Sequence, residues 1–293
     1  MKIIVCLKEV VDPALGLDSG LRNGLVFREG LPLRLNPCDA AALAVALGVG
    51  APEKGDVEIT LVSIGPDGVE SYLRNGLAMG ADRAVRLWQE GFGGMSPYQK
   101  TGLLGGVVSR YGADIVLTGA GSLDTAHSQV GPLLAARLDW PCVSDAVSLV
   151  LDEEGLSLIR DIGRGEREAL TCSLPAVVTV KGDGKLPCAS LDRLVESRYA
   201  EVTVLTAPDL GISAEELKDE PTRVTGILPP RPRPRKVPPL DSSLPAFYRI
   251  LQLLKGGISK RKGLMLRGSS QELAEHLFEM LKEEGVVKSA ADR

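Results

Sequence analysis

The sequence predicts an α/β protein: a mixed, mostly parallel sheet with helices on both faces, continued by an extended arm and a terminal helix. Three observations carry this. Short, β-branched apolar runs recur at Lys2–Leu7, Val57–Ile64, Asp114–Ala120 and Pro175–Val180. Stretches with helical spacing lie between them, at Asp39–Gly48, Asp67–Met79, Pro97–Tyr111 and Gln129–Leu138. Beyond residue 212 the composition turns to proline and arginine. Strands that are apolar throughout are buried on both sides, which a parallel sheet between two helical layers provides.

Each element has its own justification. Lys2–Leu7 opens the chain as a strand. The connection Asp12–Leu35 is long, and within it Leu25-Val26-Phe27, flanked by Asn23-Gly24 and Glu29-Gly30, reads as a small inserted hairpin because Asn-Gly supplies the backbone twist of a tight turn. Val143–Val150 and Leu156–Asp161, around Asp152-Glu153-Glu154-Gly155, form a second hairpin, with a further strand at Glu168–Ser173, so the sheet is mixed. Lys181–Glu201 has weak periodicity and reads as a long loop or a lone helical turn outside the main body. Pro229 to Pro239 holds six prolines in eleven residues, which can join neither a sheet ladder nor a helix interior and so form extended chain. Ser269-x-x-Glu272 is a capping box, and Leu273, Leu277, Met280 and Leu281 line one helical face before Gly285. The expected organisation is a domain over 1–212, an arm over 213–268 and a helix over 269–293.

Charge and composition exclude several classes. Across 293 residues, 34 Lys and Arg against 38 Asp and Glu give a net charge of −4, which excludes a generic nucleic-acid binder. The average conceals a division. Pro221–Arg267 carries 11 basic residues and one acid, Asp241, for a net +10, and everything else is −14. The 44% hydrophobic content excludes wholesale disorder. No apolar run reaches the roughly 18 to 20 residues of a spanning helix, and the N-terminus passes from strand into charge without a cleavage-like signal, so the expectation is a cytoplasmic protein without membrane insertion. Five scattered cysteines without a C-x-x-C pair, and only two histidines, fit reduced thiols better than a disulfide framework or a metal site.

The chain has no P-loop, and no G-x-G-x-x-G follows its first strand. Two other strand-to-helix turns can hold an anion. Val62-Ser63-Ile64-Gly65-Pro66-Asp67-Gly68 closes the second main strand, and the segment from Gly119-Ala120-Gly121-Ser122-Leu123-Asp124-Thr125-Ala126 through His127-Ser128-Gln129-Val130 closes the third. Glycines let backbone approach a ligand, Ser and Gln offer neutral donors, and helix N-termini favour phosphate. Together they describe a nucleotide crevice at the carboxyl edge of the sheet, although Gly and Ser also fill ordinary loops. His127 reads as a phosphate contact or acid/base, or as a loop hydrogen bonder. Cys6 reads as a small core residue. Asp39 after Asn36-Pro37-Cys38 is a helix N-cap or first-turn acid, or a contact to ribose or adenine. No Ser/His/Asp or Cys/His arrangement stands out, so the chain reads as a nucleotide binder rather than a hydrolase.

Several segments, taken in order, resemble the β subunit of electron transfer flavoproteins: Val5-Cys6-Leu7-Lys8-Glu9-Val10-Val11-Asp12, Asn36-Pro37-Cys38-Asp39, Leu73 through Arg83, Gln129-Val130-Gly131-Pro132 with Leu138-Asp139-Trp140-Pro141, and Leu174 through Val180. The resemblance covers about residues 1–212. It implies an adenine-nucleotide-binding sheet of the adenine nucleotide alpha hydrolase-like kind, pairing with an α subunit to carry FAD and shuttle electrons between dehydrogenases, of the acyl-CoA type or NADH-linked, and a downstream acceptor. By position the nucleotide contacts fall on Cys6, Asn36, Pro37, Cys38, Asp39, Ile64 and the loop from Gly119 to Val130. The segment 179–201 takes the place of the partner-recognition loop, with Leu191 as its anchoring leucine.

This sequence departs from the family pattern in three places. The acid-rich I-D-x-D core reads Leu123-Asp124-Thr125-Ala126, losing the second carboxylate. Glu196-Ser197-Arg198-Tyr199 replaces a basic run, and Ala40–Ala46 lacks the usual glutamate. Conventional members hold AMP in the β subunit, and electron-bifurcating members hold a second FAD and accept hydride from NADH. The Leu25–Pro32 insertion and the long C-terminus resemble the bifurcating group and favour FAD. The competing reading is a non-redox adenine-nucleotide-binding regulatory or stress-type module. The basic arm is expected to wrap an acidic surface, of the α subunit first and a downstream oxidoreductase second.

Overall fold

In the computed structural model the described residues are 1–15, 21–22, 25–26, 30–49, 57–152, 155–182, 185–222, 225, 243–254 and 267–283. They divide into two compact units, Met1–Pro229 and Pro230–Arg293. The first unit is built on β1 (Lys2–Leu7), an apolar strand whose alternate residues serve both faces. Ile3, Val5 and Leu7 pack into one buried cluster, and Ile4 packs into the other, with Cys6 against its margin. From β1 the chain makes β2 (Glu9–Val11), a two-residue-strand hairpin of β3 (Leu21–Arg22) and β4 (Leu25–Val26), and β5 (Leu33–Leu35), which returns antiparallel to β2. The inserted hairpin is therefore present, pairing Leu21 with Val26 and Arg22 with Leu25. Asn23-Gly24 and Phe27 lie outside the described residues.

The chain then alternates α1 (Pro37–Val49), β6 (Glu58–Ile64), α2 (Glu70–Met79), β7 (Arg83–Leu87), α3 (Pro97–Tyr111), β8 (Ile115–Gly119) and α4 (Val130–Leu138). Three strands, β9 (Cys142–Asp152), β10 (Gly155–Gly163) and β11 (Glu166–Cys172), form an antiparallel extension before the chain re-enters the sheet as β12 (Ala176–Val180). A short helix, α5 (Leu191–Ser197), and a last edge strand, β13 (Thr203–Leu205), complete the layers. The sheet has nine strands in the order β11-β10-β9-β12-β8-β1-β6-β7-β13. Every pairing from β9 to β13 is parallel. The α1 and α2 residues Leu43 and Leu73 join one buried cluster, and Leu103 of α3 and Leu134 of α4 join the other, so the sheet is covered on both faces.

Sequence periodicity located α3 to the residue, because Ser96 and Gln99 form a full capping box ahead of Pro97. It passed over β7, whose Arg83 and Arg86 break the apolar pattern. Arg86 lies against the Glu70 carboxylate at 2.8 Å, so the strand keeps a nearly buried arginine by pairing it with the adjoining helix. Of the two readings of 181–201, a long loop or a lone helical turn, the structure has the helix: α5 is started by Ser190, whose hydroxyl accepts from the Arg193 amide at 3.4 Å, and α5 packs on α2. Residues 213–222 lie along α3: Gln99 donates to the Leu217 carbonyl, and the Ser96 hydroxyl meets the Glu220 carboxylate.

In the second unit, α7 (Ser270–Glu283) begins at the expected capping box. The Glu272 carboxylate accepts from the Ser269 amide at 2.8 Å, and the Ser269 hydroxyl accepts from the Glu272 amide at 3.4 Å. A further helix, α6 (Ala246–Leu254), lies inside the stretch read as arm. The Pro229–Pro239 run falls outside the described residues, apart from the unit boundary it contains.

Gly76 measures how closely α2 lies on the sheet. A Cβ there would run into Leu61 Cδ1 and come within 3.6 Å of Leu43 Cδ2, and both leucines are fully buried. Overpacking costs about 1 to 3 kcal/mol, and the helix propensity gained on replacing Gly by Ala is about 1 kcal/mol at most. Gly76→Ala is therefore expected to lower stability by about 1 to 2 kcal/mol, read as an earlier midpoint in urea unfolding at unchanged slope.

Candidate nucleotide site

The order of the strands places the site. From β1 the chain moves outward through β6 and β7, then crosses back to lay β8 on the other side of β1. Connections leave β1 and β8 in opposite directions, and this switch point opens a crevice at the carboxyl ends of the two strands. Asp39, in the first turn of α1, reaches across it. Its carboxylate accepts from the Lys8 amide at 2.8 Å, just past β1, and from the Gly119 amide at 3.0 Å, the last residue of β8. Asn36 is the second bridge. Its amide donates to the Lys8 carbonyl at 2.9 Å, its side-chain nitrogen to the Gly121 carbonyl at 2.9 Å, and its side-chain oxygen accepts from the Leu123 amide at 3.2 Å. Both side chains are almost fully buried. Gly119 has no room for a side chain: a Cβ would strike the Asp39 carboxylate and lie 2.9 Å from Cys38 Cβ.

The loop from Gly119 to Gln129 is held by a residue that sequence reasoning missed. Lys8 Nζ lies 2.7 Å from the Asp124 carboxylate, 3.2 Å from the Ser122 hydroxyl and 3.4 Å from that of Thr125, and the two hydroxyls are 3.0 Å apart. The signal was available, since Lys8 sits at the carboxyl end of the first strand, opposite a loop with one acid. Ala126 and Ser128 adopt left-handed conformations, at φ 48° and 54°, a strained backbone for residues with side chains. The Ala126 amide closes the turn on the Ser122 carbonyl at 2.9 Å. At the far end α4 starts without a side-chain cap from Gln129, leaving its first amides for other acceptors. Beneath it the buried Thr118 hydroxyl has no hydrogen-bond partner.

The network therefore joins Asn36, Asp39, Gly119, Gly121, Ser122, Leu123, Asp124 and Thr125, with Cys38 beside Gly119. Pro37 starts α1, Ala120 is pinned to β12 through the Val180 carbonyl at 2.8 Å, and Ile64 closes β6 in register with Leu87. Ala126, His127, Ser128 and Gln129 are exposed along the loop, and Val130 opens α4. Asp39 is a first-turn acid, but its carboxylate is spent on two other strands rather than on its own helix or on open space. Leu191 belongs to a different place: it is 76% exposed at the start of α5, on a groove of about 390 Å³ shared with Leu194, Val195, Ser71 and Arg74.

Electrostatics separate the groups. Burial pushes the Asp39 carboxyl up to about 7, against the lowering effect of Asn36, the two backbone amides and the Lys8 charge. Burial, with the Asp39 charge, pushes the Cys6 thiol up to about 12, so it is no nucleophile near neutrality. Asp124 is also raised by burial, but the bonds from Lys8 and Ser122 outweigh this and hold it below the ordinary carboxylate range. The arrangement offers backbone and hydroxyl donors, one latched ammonium and a glycine-lined floor. It suits an anionic nucleotide and holds no group placed for hydrolysis.

Set against known protein families, residues 24–210 match the electron transfer flavoprotein domain. The chain belongs to the electron transfer flavoprotein family. It is 31% identical to Protein FixA of Sinorhizobium fredii over 83% of this chain and 88% of the relative. It is 32% identical to an electron transfer flavoprotein subunit beta of Thermoanaerobacterium thermosaccharolyticum, over 78% and 88%, and 31% identical to subunit CarD of a caffeyl-CoA reductase-Etf complex of Acetobacterium woodii, over 76% and 86%. The chain is an electron transfer flavoprotein subunit, and a non-redox regulatory module is not favoured. The family match ends at residue 210, close to the bound of about 212 given to the sequence resemblance, and the alignments to the three relatives are longer. Among the described residues no helix is long and apolar enough to cross a membrane, and none of the His, Cys, Asp and Glu groups form a metal-binding cluster.

Asp39 has a consequence for stability. Between about pH 4 and pH 7 the folded chain keeps a proton on it that the unfolded chain has released. Its contribution to stability therefore falls as pH rises through that window, by roughly 1.4 kcal/mol per pH unit, and is level above about 7. Asp39→Asn removes the slope. In urea unfolding at pH 5.5, 6.5 and 7.5, the stability difference between wild type and variant is expected to shift toward the variant up to about pH 7 and then stay constant.

Proposed function

We propose that the crevice at the ends of β1 and β8 holds an adenine nucleotide, and that the chain is the β-type subunit of a heterodimer sharing FAD with an α subunit. In this reading it passes electrons between dehydrogenases and a downstream acceptor in the cytoplasm. The observation that carries the reading is the clamped switch point. The first amides of α4 have no side-chain cap, and Thr118 keeps a buried hydroxyl without a hydrogen-bond partner beside them. These features fit the phosphate and ribose of a nucleotide. When bound, a flavin supplies the redox chemistry. The chain's own residues bind and orient: Lys8 and Ser122 hold the loop, and Asn36 fixes its backbone.

Which nucleotide occupies the crevice is the finer question, and we favour a second FAD over AMP. The Leu25–Pro32 insertion ahead of α1 and the long C-terminal unit support this. Leu191 supports a docking role for α5, since an exposed apolar anchor beside a groove suits fast, transient contact with a dehydrogenase. The +10 arm at Pro221–Arg267 suits an acidic partner surface, the α subunit first.

The test is a count of flavin and AMP released by denaturing the purified heterodimer. Two flavins and no AMP are expected; one of each would replace FAD by AMP in this crevice, and no flavin would overturn the reading. Deleting 221–267 is expected to weaken assembly with the α subunit and to spare nucleotide content. Raising salt from 0.05 to 0.2 M, which shortens the Debye length to about 7 to 8 Å, is expected to weaken wild-type assembly and leave the deletion variant little changed.

A further inference from the structure

We propose that Asp39 is the positioning residue of the crevice: its carboxylate ties the end of β1 at Lys8 to the end of β8 at Gly119, and so sets the nucleotide loop without touching the nucleotide. The proposal rests on the reading of the crevice given above. Its basis is geometric. Both carboxylate oxygens are committed, Oδ2 to the Lys8 amide at 2.8 Å and Oδ1 to the Gly119 amide at 3.0 Å, and the side chain is almost fully buried. With both oxygens engaged and the side chain buried, the carboxylate faces protein rather than the mouth of the crevice. The two residues it joins are those from which the site is built. Lys8 carries the ammonium that latches Ser122, Asp124 and Thr125, and Gly119 is where the loop departs from β8. Moving either amide by a few tenths of an ångström moves the loop with it, because Gly119 is in contact with Asp39, Cys38 and Asn36 and has no slack.

Protonation state should then matter. A carboxylate accepts from both amides, whereas a carboxylic acid turns one oxygen into a hydroxyl facing an N–H donor. Other charged and titratable groups lie around Asp39, and Asp39→Asn leaves each of them in place, so a slope that survives in that variant belongs to one of them and overturns the proposal. From β1, the Lys8 ammonium is paired with Asp124, and the Cys6 thiol is pushed up to about 12. From α1 comes Cys38. From the end of β12, Lys181 is paired with Asp161 at 3.0 Å. His127 is exposed on the outer loop. Burial places Asp39 at about 7, so about one molecule in eleven carries the clamped carboxylate at pH 6 and most do at pH 8.

The experiment is equilibrium dialysis of the purified heterodimer, cleared of bound nucleotide, against adenosine and against AMP from pH 6 to 8. Adenosine carries no phosphate and does not titrate in this range, so it separates the clamp from simple attraction of an anion. Wild type is expected to bind adenosine about tenfold more weakly at pH 6 than at pH 8. Asp39→Asn, which presents an amide donor to one of the two backbone donors, is expected to bind weakly at both pH values with no slope, while still unfolding cooperatively. Lys8→Met keeps the backbone amide that Asp39 holds but removes a charge that lowers the Asp39 pKa, so it is expected to bind more weakly than wild type with the pH dependence kept and moved to higher pH. Adenosine binding that is flat with pH in wild type, or a slope lost in Lys8→Met, overturns the proposal, as does wild-type affinity in Asp39→Asn. If Asp39→Asn does not fold, the wild-type and Lys8→Met profiles decide alone. Binding of neither adenosine nor AMP by wild type at pH 8 overturns the nucleotide reading itself, and the positioning role with it.

Discussion

A parallel sheet that winds in both directions from one strand has to hold two diverging strand ends together without a ladder bond between them. In this protein that constraint falls on Asp39. Burying a carboxylate is costly unless its lone pairs are filled, and here two backbone amides and the buried Asn36 fill them. The offset is incomplete, which is why the group is pushed toward neutrality rather than below the ordinary carboxylate range. Structure and cost have a common cause. The same two hydrogen bonds that close the sheet at its switch point also fix Lys8 and Gly119, from which the loop is hung.

The neighbouring features follow from that closure. Gly119 is glycine because the Asp39 carboxylate occupies the space of its side chain. Asn36 is needed because the loop backbone at Gly121 and Leu123 would otherwise be buried beside an acid with no neutral partner. Lys8 then supplies the one charge the loop requires, to Asp124, so the net charge of the pair is zero and the crevice remains open to an incoming anion. Gly131 lets α4 settle onto Thr118 and Thr179, bringing the uncapped amides of that helix to the same edge of the sheet.

What was legible in the sequence was whatever a single strand or helix decides for itself. β1, β6, β8 and β12 are buried on both sides, and their apolar runs announce them. α3 carries its own capping box. β7 was hidden because its two arginines are compensated from elsewhere, Arg86 by Glu70 on α2 and Arg83 by Glu58 on β6. α5 was left open between a long loop and a lone helical turn, because Leu191, Leu194 and Val195 give only one turn of apolar spacing. At the site, the glycines and hydroxyls of the loop were readable as a strand-to-helix turn open to an anion. The clamping roles of Lys8 and Asp39 were not spelled out by either residue's own neighbourhood, because Lys8 meets Asp124 across 116 positions and Asp39 meets Gly119 across 80, contacts that only the crossover of the sheet creates.

The same topology places the last described stretch of the first unit. A helix in a parallel α/β layer runs opposite to its strands, so α3 begins at the carboxyl edge, as α4 does. Residues 213–222 are fastened there, with Glu220 on the Ser96 hydroxyl and the Leu217 carbonyl on Gln99. An acid at a helix N-terminus is favoured by the helix dipole, and Ser96 already caps that helix, so the fastening uses groups the fold has in place. Residues 213–222 are therefore held at the same edge of the sheet as the crevice, by the groups that start α3.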